Sequence, residues 1–128
     1  MEMSSVHDAV RRYARAVQEA DIGELRHMTC GVLHEQFSIE QTSVLAAQLA
    51  ADRCQHGSIS VSDFRDVHVD AERWWITATL SFEYAPPLDV RFGLIEQRGR
   101  WLLVGADTQT RYARSPLSSG PSVAALAG

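Results

Sequence analysis

The sequence predicts an α+β domain in which three N-terminal helices pack on one face of an antiparallel sheet. Three observations predict it. Apolar residues recur at helical spacing through much of the first half of the chain. After Gly57 the period falls to two, the signature of strands. The length of 128 residues, with 45% hydrophobic and 22% charged content, suits one domain with a real core. Helices gathered ahead of strands, rather than alternating with them, place those helices on one face of one sheet.

The first helix is the strongest element. Val6, Val10, Tyr13, Ala14 and Val17 share a face, while Arg11, Arg12 and Arg15 fall toward the other. Ser5 with Asp8 three residues on has the form of a capping box. This helix should end near Ala20. Asp21 followed by Glu24 then opens a short second helix through Leu25 and Met28, with Gly31 as its stop. The stretch from Val32 to Phe37 has no clear period. From Thr42 to Gln55 the pattern is helical again, with Val44, Leu45, Gln48, Leu49, Ala51 and Asp52 along it and Gly57 as the stop. Ser38 is an alternative, earlier cap.

The strands follow. Ile59, Val61, Val67 and Val69 alternate with polar residues, and Asp63-Phe64 breaks phase as a bulge does. Asp70-Ala71-Glu72 is a turn. From Arg73 to Tyr84, Trp74, Ile76, Ala78, Leu80, Phe82 and Tyr84 point one way, and Trp75, Thr77, Thr79, Ser81 and Glu83 the other. Pro86-Pro87 ends this strand. Leu88, Val90, Phe92 and Leu94 form the next run. Arg98-Gly99 is a tight turn, and Trp101 to Ala106 closes the meander, with Thr108 to Ala113 as an extension. Residues 1–114 form the domain. The small, proline-containing, uncharged stretch 115–128 reads as a flexible tail.

Composition excludes several function classes. The formal charge is −4, with arginines and acids interspersed, so no nucleic-acid footprint is expected. All 12 basic residues are arginine, and lysine and asparagine are absent. Lysine Schiff bases, P-loop lysines and N-glycosylation sites are thereby excluded. No apolar run spans a bilayer and no signal peptide is visible, so a cytoplasmic location without membrane attachment is expected. Cys30 and Cys54 are expected reduced and buried, with a disulfide as the alternative. Neither they nor His7, His27, His56 and His68 show zinc-site spacing, so no metal and no cofactor are expected.

The helix with its acidic stop at Ala20-Asp21, the pair Arg12-Tyr13 and the segment Ser81-Phe82-Glu83-Tyr84 resemble the nuclear transport factor 2-like superfamily. That cystatin-like cone fold, which includes ketosteroid isomerases and SnoaL-like polyketide cyclases, implies that the sheet is curved and that the three helices cover its concave face. The resemblance implies that Tyr13 faces the cone interior, where the isomerase tyrosine donates a hydrogen bond to a developing enolate oxygen. It also implies a carboxylate base at the position of Phe37 and a second acid near Phe92. Both are apolar here, so steroid isomerisation is not expected. A closer similarity is to small actinobacterial domains of unknown function in the same superfamily. It rests on the helix Val10 to Leu25, on Thr29-Cys30-Gly31, on Gly57-Ser58-Ile59 and on Trp101, and it spans about residues 6 to 106. Many such domains follow a membrane anchor, and none is expected here.

These readings set the functional expectations. The first is a non-catalytic module that binds a hydrophobic small molecule or a protein, with Tyr13, Trp74, Phe82, Phe92 and Trp101 lining a pocket. The same aromatic residues serve equally as packing. The alternative is a SnoaL-like cyclase, isomerase or dehydratase using Tyr13 as donor and His34 or Glu35 as base. Adjacent strand residues face opposite ways, so His34 and Glu35 act together only if their segment is helical. Asp89, Arg91 and Glu83 resemble the Asp-Arg-Asp set of limonene epoxide hydrolase-like members, and read more simply as a cross-strand ion pair. The mildly polar outer sheet face (Trp75, Thr77, Thr79, Ser81, with Leu102 and Val104) is expected to form a homodimer. A dimerisation domain with no pocket is the third expectation.

Overall fold

A computed structural model describes residues 3–109. The elements run α1 (Met3–Gln18), α2 (Ile22–His27), α3 (Gly31–Gln36), α4 (Thr42–His56), β1 (Ile59–Asp70), β2 (Arg73–Phe82), β3 (Leu88–Gln97) and β4 (Arg100–Gln109). The strands form one antiparallel meander in the order β1-β2-β3-β4. Both the predicted tail and any strand beyond Gln109 lie outside the described residues.

α1 buries the predicted face: Val6, Ala9, Val10, Tyr13, Ala14, Ala16 and Val17 are all buried. It starts at Met3, upstream of Ser5, so the Ser5–Asp8 pair is not its cap. Asp8 instead meets Arg11 on the surface at 3.6 Å. The helix ends with Asp21 N–H on the Ala16 carbonyl at 2.9 Å and Ala20 N–H on the Val17 carbonyl at 3.1 Å. That paired closure normally puts glycine in the left-handed conformation. Here Ala20 takes it, with φ 55. Asp21 then caps α2 by accepting the Glu24 N–H at 3.1 Å.

Among the described residues the helices number four rather than three. The segment without a clear period folds as α3, burying Leu33 and leaving Phe37 buried at its end. Six residues form too few hydrogen bonds to be helical alone, so this helix depends on docking, which a local pattern does not encode. Gly31 starts α3, with φ 66, instead of stopping α2. Between them, Met28 to Cys30 lies along the free edge of β4. Leu103 N–H donates to the Met28 carbonyl at 3.0 Å and Cys30 N–H to the Leu103 carbonyl at 2.9 Å. That sheet edge is therefore covered. Arg26 holds the chain between α3 and α4, reaching the Phe37 carbonyl (2.6 Å), the Glu40 carbonyl (3.0 Å) and Thr42 Oγ1 (2.6 Å). α4 begins at Thr42 with Gln41 as its cap, so Ser38 has no such role.

On the sheet, Ile76, Ala78, Leu80, Val90, Phe92, Leu94, Leu103 and Ala106 face the helices and are buried. β1 carries the predicted bulge and a second one, with Asp63 and Asp66 both at φ 56. Tyr84 is a correction: it is 67% exposed. β2 ends at Phe82, and Tyr84 N–H pairs with the His56 carbonyl at 2.9 Å as the chain turns toward Pro86. Both cysteines are free; Cys30 is half-buried, but Cys54 lies exposed on α4, against the expectation of burial.

Candidate functional site

The cone interior is built from α1, the end of α3 and the middle of β3. Tyr13 is only 1% exposed. Its ring meets Phe37 edge-on at 6.4 Å between centroids and Phe92 at 6.0 Å, with interplanar angles of 70° and 74°. These are favourable quadrupolar geometries, worth on the order of 1 kcal/mol each beyond the area buried. Burial drives the Tyr13 phenol pKa far above its ordinary value. It is held in its neutral, hydrogen-bonding form. The two positions that the isomerase resemblance gives to acids thus touch Tyr13 as aromatic rings.

The candidate bases are not part of this cluster. His34 is half-buried on α3, and its Nδ1 lies 3.0 Å from the Arg26 carbonyl. That contact makes Nδ1 the protonated nitrogen. Thr29 Oγ1 is 3.5 Å away, itself donating to the Leu25 carbonyl at 2.7 Å. Glu35 is exposed. On a short helix the buried stripe is Leu33 and Phe37, spaced by four, which leaves Glu35 outside.

The remaining aromatic candidates are dispersed. Trp74 and Trp101 are half-buried and pack edge-on at 5.6 Å. Trp101 also borders a polar surface groove with Asp8, Arg12, His27 and Arg100. Phe82 stands at the opposite end of β2, against His56 at 5.4 Å. Five aromatic candidates therefore occupy three places instead of one pocket. The Asp89–Arg91–Glu83 set is divided too. Asp89 pairs with Arg65 at 2.9 Å and accepts from Thr79 Oγ1 at 3.0 Å. Arg91 lies over the Trp75 ring at 4.8 Å, and Glu83 accepts from Ser58 N–H and Oγ.

On the outer face the Trp75 ring covers Gly93, where an added Cβ would come within 2.8 Å of it. Gly105, the cross-strand partner of Gly93, has open space above it. Arg73 and Arg91 bracket the ring.

A different site lies where the C-terminal ends of α1 and α4 meet the start of β1 and the end of β2. Val17, Gln18, Leu49, Asp52, Arg53, His56, Gly57, Ile59 and Phe82 line a cavity of ≈ 20 Å³ there. Asp52 Oδ2 is buried and has no hydrogen-bond partner among the described residues. Desolvation pushes the Asp52 carboxyl pKa up, and the nearby His56 opposes it in part. Gly57 makes the closure possible. It terminates α4 at φ 78 and ψ −156, a conformation that is essentially glycine's alone. A Cβ there would meet Glu83 Cβ at 2.5 Å. The signal for this site was present along α4, where Leu45, Leu49, Asp52 and His56 follow a 4-3-4 spacing. That puts an acid and a histidine on the stripe that faces the core. Among the described residues no group of three His, Cys, Asp or Glu side chains could hold a metal ion. No helix there is long and apolar enough to cross a membrane.

No family model and no curated protein matches the chain. Solved structures do. The NTF2-like design Rd1NTF2_05 superposes with a TM-score of 0.59 at 11% identity, over 84% of this chain and 100% of the other. A putative NTF2-like transpeptidase from Campylobacter jejuni gives 0.57 at 12%, over 77% and 95%. A point variant of Rv3472, a protein of unknown function from Mycobacterium tuberculosis, gives 0.59 at 11%, over 96% and 83%. At such identities the likeness concerns architecture alone. With four helices on one face of a four-stranded antiparallel sheet, this chain has the NTF2-like fold.

Proposed function

We propose that the chain is a non-catalytic protein-interaction module on an NTF2-like frame, working as a homodimer through its outer sheet face. The observation that carries the first part is the closed aromatic cluster of Tyr13, Phe37 and Phe92, each at most 3% exposed. In the isomerase resemblance two acids beside the tyrosine carry the proton transfer. The rings of Phe37 and Phe92 stand where the isomerase resemblance puts its two acids, and neither titrates. His34 is turned to the Arg26 carbonyl and Glu35 to solvent. The outer face supports the second part. One half is occupied by the Arg65–Asp89–Thr79 network. The other half is apolar and partly exposed, with Trp75, Ile95 and Val104 beside the open surface at Gly105.

Two measurements test this reading. Titration with 2-naphthol, a flat phenolic probe, should leave the Tyr13 and Phe92 NMR resonances in place. Saturable shifts at both would reinstate an interior ligand site and with it the SnoaL-like alternative. Sedimentation velocity should give a dimer that Trp75→Glu converts to monomer. A wild-type monomer removes the dimer part and leaves the closed interior to be judged by the first measurement.

A further inference from the structure

We propose that the corner cavity at the end of α4 is a binding site for the primary ammonium group of a small alkylamine, with Asp52 as its anionic partner.

Asp52 Oδ2 is the informative atom. A buried carboxylate oxygen with no partner costs free energy unless something satisfies it. An ionised carboxylate only accepts hydrogen bonds, so its complement is a donor. The lining side chains do not supply one to Oδ2. Gln18 is engaged through its Oε1, which accepts the Ile59 N–H at 2.5 Å. His56 lies against the Phe82 ring instead.

Size and lining narrow the ligand. A space of ≈ 20 Å³ admits a head group of about one water or one ammonium and nothing larger. A planar guanidinium is too wide. A hydroxyl fits, but brings no charge to compensate the carboxylate. An ammonium is compact, carries three donors and no acceptor, and favours the ionised form of Asp52 by pairing with it. The apolar part of the wall is Val17, Leu49, Ile59 and Phe82, and Gln18, Arg53, His56 and Gly57 complete it. A short alkyl tail leaving the head group would run along them and bury apolar surface. Ligand and cavity are therefore matched in head-group size, in the acceptor at Asp52 Oδ2 and in the apolar part of the wall. The site is separate from the Tyr13 interior and from the outer sheet face, so it stands or falls independently of both.

The test is a titration of the full chain with n-butylammonium chloride, followed by the methyl resonances of Val17, Leu49 and Ile59. Sodium chloride and n-butanol serve as controls. The expected result is saturable movement of those methyls with the amine alone, abolished in Asp52→Asn. A second reading in the wild-type protein is the carbon resonance of the Asp52 carboxyl, whose protonation midpoint should fall when the amine is present. That reading holds even if the variant folds poorly. No saturable shift, an equal response to n-butanol, or an unmoved carboxyl midpoint each overturns the proposal.

Discussion

Two titratable groups of this domain, the buried Tyr13 in the cone interior and the half-buried Asp52 at its corner, make an instructive contrast. Desolvation drives both pKa values upward. Tyr13 is enclosed by the edges of Phe37 and Phe92. Asp52 borders a cavity, and one of its oxygens has no partner among the described residues. Burial alone therefore does not make a site. The same direction of shift accompanies a packed residue in one place and an unsatisfied oxygen in the other, and what separates them is the small cavity of ≈ 20 Å³ beside Asp52.

The largest expected effect comes from hollowing the filled region. Phe92→Ala should cost roughly 3–5 kcal/mol, because it removes a fully buried ring and leaves a cavity beside Tyr13. Urea unfolding measures it. A loss below about 1 kcal/mol would mean that the interior collapses onto the gap, and that the contrast between filled and open regions is weaker than described.

Next is the closure of the corner. Gly57→Ala should cost roughly 2–3 kcal/mol, combining the backbone penalty with the clash against Glu83 and Tyr84. Thermal unfolding reports it. A neutral result would show that the α4–β1 connection relaxes freely, and the geometry around Asp52 with it.

The smallest effect is electrostatic. The folded-state pKa of Asp52 lies above its ordinary 3.8. Between those two values the native state binds more protons than the unfolded state, so this group's contribution makes stability fall as pH rises. The destabilisation is fully present above the folded pKa and absent well below 3.8. Asp52→Asn should remove that component from the stability–pH profile measured by urea unfolding. A profile with the same slope in both proteins would show that the corner carboxyl is as well solvated as a surface acid.

Much of the fold was legible along the chain. The buried face of α1, the Asp21 cap, the break at Asp63-Phe64, the alternation of β2 and the Arg98-Gly99 turn are local patterns, and each reappears in place. The α3 segment was not legible, since its helix is sustained by Leu33 and Phe37 docking below it rather than by its own hydrogen bonds. Tyr84 continued the β2 alternation on paper, yet it leaves the sheet where the pairing with β1 ends. The site was less legible than the fold. Tyr13 could be named from the sequence, but not the two rings that close on it.

The sequence by itself determined the helical and strand periods, the order of helices before strands and the exclusion of lysine chemistry. These follow from residue identities and short-range spacing, which act before the chain is packed. Tertiary structure alone decided that Tyr13 is sealed, that the aromatic candidates part into three places and that one Asp52 oxygen has no partner among the described residues. Those outcomes depend on which side chains from distant elements arrive at the same point, and on whether they fill it. Asp52 meets Val17, Ile59 and Phe82 only after α1, β1 and β2 have closed around the end of α4.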